Sequence, residues 1–94
     1  MPTLSKVSIN SKNIVKISKA LADENRYKIF KTIADKGEIV CKEITSLFPL
    51  SQPTISHHLR VLMESGLIEV RKEGQWSYFY VKNETLERYK SALV

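Results

Sequence analysis

The sequence contains very little cysteine and no long hydrophobic run. Cys41 is the only cysteine among 94 residues, so no internal disulfide can form, and this usage is typical of a reducing compartment. The longest uninterrupted apolar stretch, Tyr78 to Val81, is far too short to span a bilayer. Residues 1–4 lack the apolar stretch of a signal peptide. These absences predict a cytoplasmic protein that does not associate with a membrane.

Sequence signatures of catalysis are missing as well. The chain has no glycine-rich phosphate loop, no nucleophile elbow, and no Cys/His arrangement with an orienting acid. We therefore expect neither an enzyme nor a bound cofactor.

What is present is an uneven distribution of charge over a single small domain. The hydrophobic fraction of 43% is ordinary for a globular chain of this length. The net charge is +5, and residues 1–31 carry seven Lys or Arg against Asp23 and Glu24, so the remainder is neutral overall. This excess favours a polyanionic partner whose phosphates the lysines would meet. For any individual lysine, a solvated helix face is an equally good explanation.

Residues 51–66 have the features of a short helix with a polar outer face. Ser51 is a good N-cap, and Gly66 supplies the left-handed residue that ends a helix. Ile55, Leu59 and Leu62 recur at helical spacing, so this face must be buried. The opposite side carries mainly uncharged donors and acceptors, the chemistry that reads base edges in a major groove. We predict that its DNA contacts come from Ser51, Gln52, Thr54, Ser56, His57 and Arg60.

Two adjacent histidines on this helix receive different predictions, because neighbouring residues project about 100° apart. His57 lies beside Ser56 and Arg60 on the polar side and is expected to contact DNA. His58 joins the apolar face, where we expect it to pack or to contact the backbone. A metal site built from these two residues alone is not expected.

The patterns along the rest of the chain predict a winged helix-turn-helix, a mainly α fold with a β-hairpin wing (α+β). Residues 1–9 lack periodicity and are expected to be a flexible arm, while residues 10–94 form the DNA-binding and dimerisation domain. The order is four helices, a two-stranded hairpin and a last helix. Besides the recognition helix, which is the helix predicted at residues 51–66, the predicted helices are 13–22, 24–36, 42–48 and 84–93. The predicted strands are 67–71 and 76–81.

The hairpin would be the wing, with Gly74 at its tip. Lys72 and Gln75 are predicted to lie near the DNA backbone or minor groove, and Trp76 is expected to pack inside the wing. For Arg71 and Lys72, a phosphate contact and a plain strand-edge charge remain equally good interpretations.

The first and last predicted helices are amphipathic, yet a chain of this length leaves little core for them to cover. The second helix is expected to turn Tyr27, Phe30, Ile33 and Ala34 inward. We predict that the two outer helices form the interface of a homodimer. The residues assigned to this interface are Ile14, Ile17, Leu21, Leu86, Tyr89 and Leu93.

The chain contains Leu21-Ala-Asp23 with Arg26, Ser51-Gln-Pro-Thr-Ile-Ser-His-His-Leu59 with Leu62, Gly66-Leu67, and Arg71-Lys-Glu-Gly-Gln-Trp76 with Tyr78. In combination these motifs resemble the ArsR/SmtB family of winged-helix repressors, over roughly residues 13–94. The resemblance implies a homodimer that blocks transcription from a pseudo-palindromic operator in double-stranded DNA and is released by an inducer. Glu24 and Asn25 stand where the family often has Pro-Thr, and Pro49 where glycine is frequent.

The two metal sites known in that family have no matching ligands in this sequence. Members that sense thiophilic metals use a Cys-x-Cys pair before the helix-turn-helix turn, where this chain has Val40 and Lys42 flanking Cys41. Other members bind zinc with Asp and His on the last helix, but residues 83–94 contain no His, Cys or Asp. One thiolate cannot complete a three- or four-ligand site for a soft metal. We therefore expect no metal at these sites.

Two alternatives to this interpretation stay open. Cys41 is either a redox-responsive thiol, which would make the protein a thiol-sensing repressor, or a small buried hydrophobe after Ile39 and Val40. A winged helix used as a protein-interaction module is the rival to DNA binding, although such helices usually present apolar anchors. The sequence does not identify the inducer, the operator or the target genes, nor does it separate repression from activation.

Overall fold

The computed structural model describes residues 10–94, and the arm expected for residues 1–9 lies outside the described residues. It confirms the winged helix-turn-helix, with helices packed on one side of a small antiparallel sheet. In chain order the elements are α1 (Ser11–Ala20), α2 (Glu24–Lys36), β1 (Glu38–Val40), α3 (Cys41–Leu47), α4 (Gln52–Ser65), β2 (Ile68–Glu73), β3 (Trp76–Val81) and α5 (Asn83–Ala92).

Local capping residues set the helix ends. Asn10 accepts a hydrogen bond from the Asn13 amide, so α1 begins earlier than the sequence predicted. Asp23 caps α2 by accepting from the Arg26 amide at 3.0 Å. Gly37 ends that helix with a φ of 82°, a left-handed value that glycine adopts without strain. The predicted start of α2 and its glycine stop are thus confirmed.

Strand β1 is the element that the sequence prediction missed. It pairs antiparallel with β3, so that Ile39 lies opposite Phe79 and the sheet order is β1-β3-β2. Three residues are too few to show an alternating pattern, and this strand exists only because β3 is there to bind it. The wing is therefore anchored in a three-stranded sheet rather than being a free hairpin.

The core lies where α1, α2, α3 and α4 meet the inner face of the sheet. Its fully buried members include Ile17, and this corrects its prediction as a dimer-interface residue. A side chain with no exposed surface in the single chain has none to bury against a second copy. The other large side chains that are fully buried are Ile29, Ile33, Ile39, Ile44, Ile55, Leu62, Leu67 and Ile68.

Three side chains expected inside point outward instead. Tyr27 is 45% exposed and Ala34 is exposed, because the inward stripe of α2 runs through Ile29, Phe30 and Ile33. Trp76 is 42% exposed. It lies at the far end of β3, opposite Glu73, where β1 does not reach.

Among residues 10–94, no helix is both long enough and apolar enough to cross a membrane.

Candidate nucleic-acid interface

Helix α4 is held rigidly at both ends. The Ser51 hydroxyl oxygen accepts from the Thr54 amide at 3.3 Å, and the hydroxyls of Ser51 and Thr54 lie 2.8 Å apart in a further hydrogen bond. Pro53 sits in the first turn, where no intrahelical N–H is needed. Gly66 ends the helix with a φ of 88°. These are the start and stop that the sequence predicts.

The inner face of α4 is buried as predicted. Ile55, Leu59 and Leu62 are at most 3% exposed, so the helix cannot rotate without opening the core. His58 is also buried, which confirms its assignment to the packing side.

The outer face of α4 consists of exposed polar side chains that the rest of the fold leaves unused. Within residues 10–94, none of the outermost four forms a hydrogen bond or an ion pair to the chain. Such groups are available for base edges and phosphates. We call this set the α4 outer face: Gln52, Ser56, His57 and Arg60. Of the other two predicted contact residues, Ser51 is exposed and Thr54 half-buried, and their hydroxyls are already engaged with each other.

The wing places Lys72 and Gln75 in solvent, on either side of the Gly74 turn. Successive residues of a strand alternate between faces, so Lys72 and Arg71 point in opposite directions. Both predicted wing residues therefore lie exposed near the tip of the wing.

Arg71 is held by the sheet itself. Its guanidinium donates to both Glu38 carboxylate oxygens, at 3.0 and 3.3 Å, and lies 3.0 Å from Glu73. It also stacks over the Tyr78 ring at 4.5 Å. The hydrogen bond to Glu38, followed by that to Glu73, raises the pKa of Arg71. The structure thus favours the strand-charge interpretation of Arg71 over the phosphate contact.

Helices α1 and α5 lie side by side and share a hydrogen bond between the Ser18 and Tyr89 hydroxyls at 2.8 Å. Of the predicted interface residues, Ile14, Leu21, Leu86 and Tyr89 are half-buried and Leu93 is 58% exposed. Sequence reasoning missed Val15, which is 50% exposed, because it lies outside the stripe of Ile14, Ile17 and Leu21. These two helices therefore present a mixed apolar surface on one side of the molecule.

The cations before α4 divide into paired and unpaired sets. On α2, Lys28 pairs with Glu24 and Lys31 with Asp35, at 3.2 and 3.1 Å. On α1, Lys12, Lys16 and Lys19 are exposed and have no acidic partner within residues 10–94. The basic excess of the described N-terminal part therefore belongs to α1.

Arg26 is the residue near α4 whose role sequence reasoning did not identify. Its guanidinium donates to the backbone carbonyls of Ala20 and Lys19, at 2.6 and 3.3 Å, and so caps the end of α1. Its third contact is with Nδ1 of His58, at 3.3 Å. On the other side of the imidazole, Nε2 lies 3.9 Å from Asp23. This junction connects α1, the start of α2 and the buried side of α4.

Cys41 begins α3, is half-buried, and packs against the core. It borders a shallow surface cleft that is also lined by Lys42, Thr45, Ser46 and Gln52. In the part of the chain that the structure describes, no group of three or more His, Cys, Asp and Glu side chains could hold a metal ion.

Comparison with known proteins places this geometry among transcriptional regulators. A family described as a helix-turn-helix domain matches residues 21–71. An uncharacterized HTH-type transcriptional regulator of Methanocaldococcus jannaschii is 42% identical over 72 residues, covering 76% of this chain and 80% of the relative. The arsenical resistance operon repressor of Escherichia coli is 38% identical over 65 residues, and the match covers 69% of this chain and 56% of that protein. The chain thus spans little more than half the length of the latter relative.

A solved structure extends the similarity to the whole fold. The homodimeric winged helix-turn-helix DNA-binding domain of a Mycobacterium bovis protein, described as a possible ArsR-family transcriptional regulator, superposes with a TM-score of 0.74. The match covers 97% of this chain and 81% of that one at 23% identity, so it bears on the fold alone.

Proposed function

This chain belongs to the ArsR/SmtB family of winged helix-turn-helix transcriptional regulators, and we propose that it acts as a homodimeric repressor of an inverted-repeat operator. The family consists of DNA-binding regulators, not enzymes. In the proposed complex each copy places α4 in a major groove, and a dimer bound across two half-sites blocks transcription by occupying the DNA.

The observation that carries this proposal is the α4 outer face. Its four polar side chains stand on a helix that is capped at both ends and buried along its opposite side. A rigid helix with unengaged donors and acceptors can read base edges without first giving up internal contacts. A protein-interaction helix would instead present apolar anchors.

Dimerisation is supported by the surface of α1 and α5, with Val15 and Leu93 exposed. The name of the Mycobacterium bovis domain describes it as homodimeric, and the Escherichia coli relative is named a repressor. A twofold axis through this surface would pair two copies of α4, and their spacing then requires half-sites about one helical turn, or 10 base pairs, apart.

The proposed repressor does not respond to soft metals through the two sites known in its family. The support is chemical: Val40 and Lys42 offer no soft ligand beside Cys41, and α5 lacks Asp and His. The signal that releases the protein from DNA would then act elsewhere.

Two glutamines provide a matched test of base reading. Duplexes enriched by the full-length protein from a random pool supply the operator, and fluorescence anisotropy compares it with a scrambled duplex. Gln52→Ala on α4 should reduce the binding free energy for the operator by about 1–3 kcal/mol, since it removes a base contact. The reduction for the scrambled duplex should be smaller. Gln75→Ala on the wing should lower the affinity for both duplexes by a similar factor, which should be smaller than the effect of Gln52→Ala on the operator.

An equal loss of affinity for both duplexes in Gln52→Ala would show that α4 does not read bases. If the random pool yields no enriched inverted repeat, the operator proposal itself fails.

A further inference from the structure

The junction of Arg26, His58 and Asp23 carries an inference that rests on the proposed function and concerns its regulation. Arg26 ties the last carbonyls of α1 to Nδ1 of His58, which lies on the buried side of α4. The next residue on that helix, His57, belongs to the α4 outer face. One contact therefore joins the helix that carries the proposed dimer surface to the helix that would read DNA.

The protonation state of His58 decides whether this contact can exist. A guanidinium only donates hydrogen bonds, so Nδ1 must accept and must be without a proton. The ring proton then resides on Nε2, which faces Asp23 at 3.9 Å. Protonation at Nδ1 would set an N–H against an N–H and a positive ring against the Arg26 cation. The imidazole would have to leave Arg26, and α4 would lose this restraint.

Burial, together with the neighbouring positive charges, keeps the imidazole of His58 neutral near pH 7. Burial lowers the pKa of His58 most, while the Asp23 carboxylate opposes this and the charges of Arg26 and His57 add to it. Asp23 is itself committed to capping α2, and the backbone hydrogen bond from Arg26 lowers its pKa. Among the described residues these are the titratable and charged groups that face the imidazole; α1 contributes only the carbonyls that Arg26 binds.

We propose that the contact between Arg26 and His58 positions α4 for operator binding only while His58 is neutral, which makes the repressor release its operator on acidification. Binding to both half-sites requires the two recognition helices of a dimer to be held at a fixed distance and angle. Loosening of α4 should therefore lower the affinity for the operator more than the affinity for random DNA. Arg26 and His58 act through α4 and need not touch DNA.

The test requires that His57 be replaced, because this second histidine is exposed on the α4 outer face and would contribute its own effect on DNA binding. A positive charge at position 57 beside DNA phosphates would strengthen binding, the opposite of the effect proposed for a charge on His58. The comparison is therefore between full-length His57→Asn and the double variant His57→Asn with His58→Asn. An asparagine at 58 keeps an acceptor for Arg26 in its side-chain carbonyl but cannot titrate.

Affinity for the selected operator and for a scrambled duplex is measured from about pH 7.5 to about pH 5.5 at constant ionic strength, within the range where histidine changes charge. His57→Asn should lose operator affinity on the order of threefold or more, since only the fraction with neutral His58 is competent. The double variant should stay nearly constant on the operator. The same pH dependence in both proteins would overturn the inference.

A second variant separates positioning from packing. His58→Leu keeps an apolar side chain in the buried site but removes the acceptor, so it should bind the operator weakly at every pH while thermal melting shows a folded protein. Operator binding by His58→Leu equal to wild type would also overturn the inference. If His58→Leu does not fold, the asparagine comparison decides alone.

Failure of the proposed function looks different: neither the wild-type protein nor any variant would then prefer an inverted repeat over scrambled DNA at any pH.

Discussion

The α4 outer face and the outer face of the sheet are both polar, but only the sheet uses its polar groups internally. On the sheet, Arg71 is bound by two carboxylates, and Glu69 accepts from Tyr80 and lies 3.5 Å from Lys82. On α4, the corresponding groups have no partner within residues 10–94. Charges already paired within the fold gain little from a second partner. The difference supports our proposal that DNA binds to α4 rather than to the outer face of the sheet.

The largest loss of operator affinity should come from dissociating the dimer. A monomer would carry the α4 outer face but lack the second recognition helix, so this variant tests whether one such face is enough for operator binding. Leu93→Glu places a charge on the exposed apolar surface of α5 and should yield a folded monomer. Loss of the second half-site should weaken operator binding on the order of 100-fold or more. Light scattering gives the mass, and anisotropy the affinity.

Ile17→Glu is the control for this prediction. A charge at that fully buried position should unfold the chain, which circular dichroism would detect, instead of giving a folded monomer. A dimer that survives Leu93→Glu would show that α5 lies outside the interface.

A matched pair of arginines sharpens the comparison directly. Arg60→Ala on the α4 outer face should weaken binding to operator and random DNA by about 1–2 kcal/mol and lower the salt dependence by about one counterion, as expected for a lost phosphate contact. Arg71→Ala on the sheet should leave DNA affinity unchanged and lower the melting temperature only slightly, as expected for an exposed ion pair. Anisotropy at several salt concentrations and thermal melting measure both. A loss of DNA affinity in Arg71→Ala would contradict the proposal that only the α4 outer face, and not the outer face of the sheet, contacts DNA.

The smallest expected effect concerns metals, since no group of three or more His, Cys, Asp and Glu side chains among residues 10–94 could hold a metal ion. Arsenite, cadmium or zinc at stoichiometric amounts should change operator affinity by less than a few-fold in a gel shift. Peroxide or a persulfide is the sharper reagent, because Cys41 borders the same cleft as Gln52.

Cys41→Ser serves as the control in the same gel shift. Release by oxidant in the wild type that persists in Cys41→Ser would exclude the thiol as a sensor. Release by metal in the wild type would contradict the proposal that the protein has no metal site.

The recognition helix could be predicted from the sequence because its signals are local. Ser51, Gly66 and the stripe of Ile55, Leu59 and Leu62 act within one helix, and each does in the structure what its residue type predicts. The boundaries of α2 and the turn at Gly74 follow from equally local chemistry.

The features that the sequence did not reveal depend on partners distant in the chain. β1 requires β3, and Arg26 finds His58 across 32 positions. Amphipathicity identified the apolar stripe of α1, but it could not tell that Ile17 turns into the protein's own core while Val15 faces solvent. The exposure of Trp76 follows from where β1 stops, which no pattern in the wing itself could indicate.

The pairing of Ile39 with Phe79 also orders the steps by which the chain can fold. β2 and β3 are joined by a tight turn and can zip together early, whereas β1 reaches β3 only after the chain has closed a loop containing α3 and α4. Closing such a loop costs chain entropy before any contact is gained. Formation of the helix-turn-helix shortens that loop and so lowers the entropic cost of bringing β1 to β3. In the native state, β1 thereby connects the segment that leads into the helix-turn-helix to the wing.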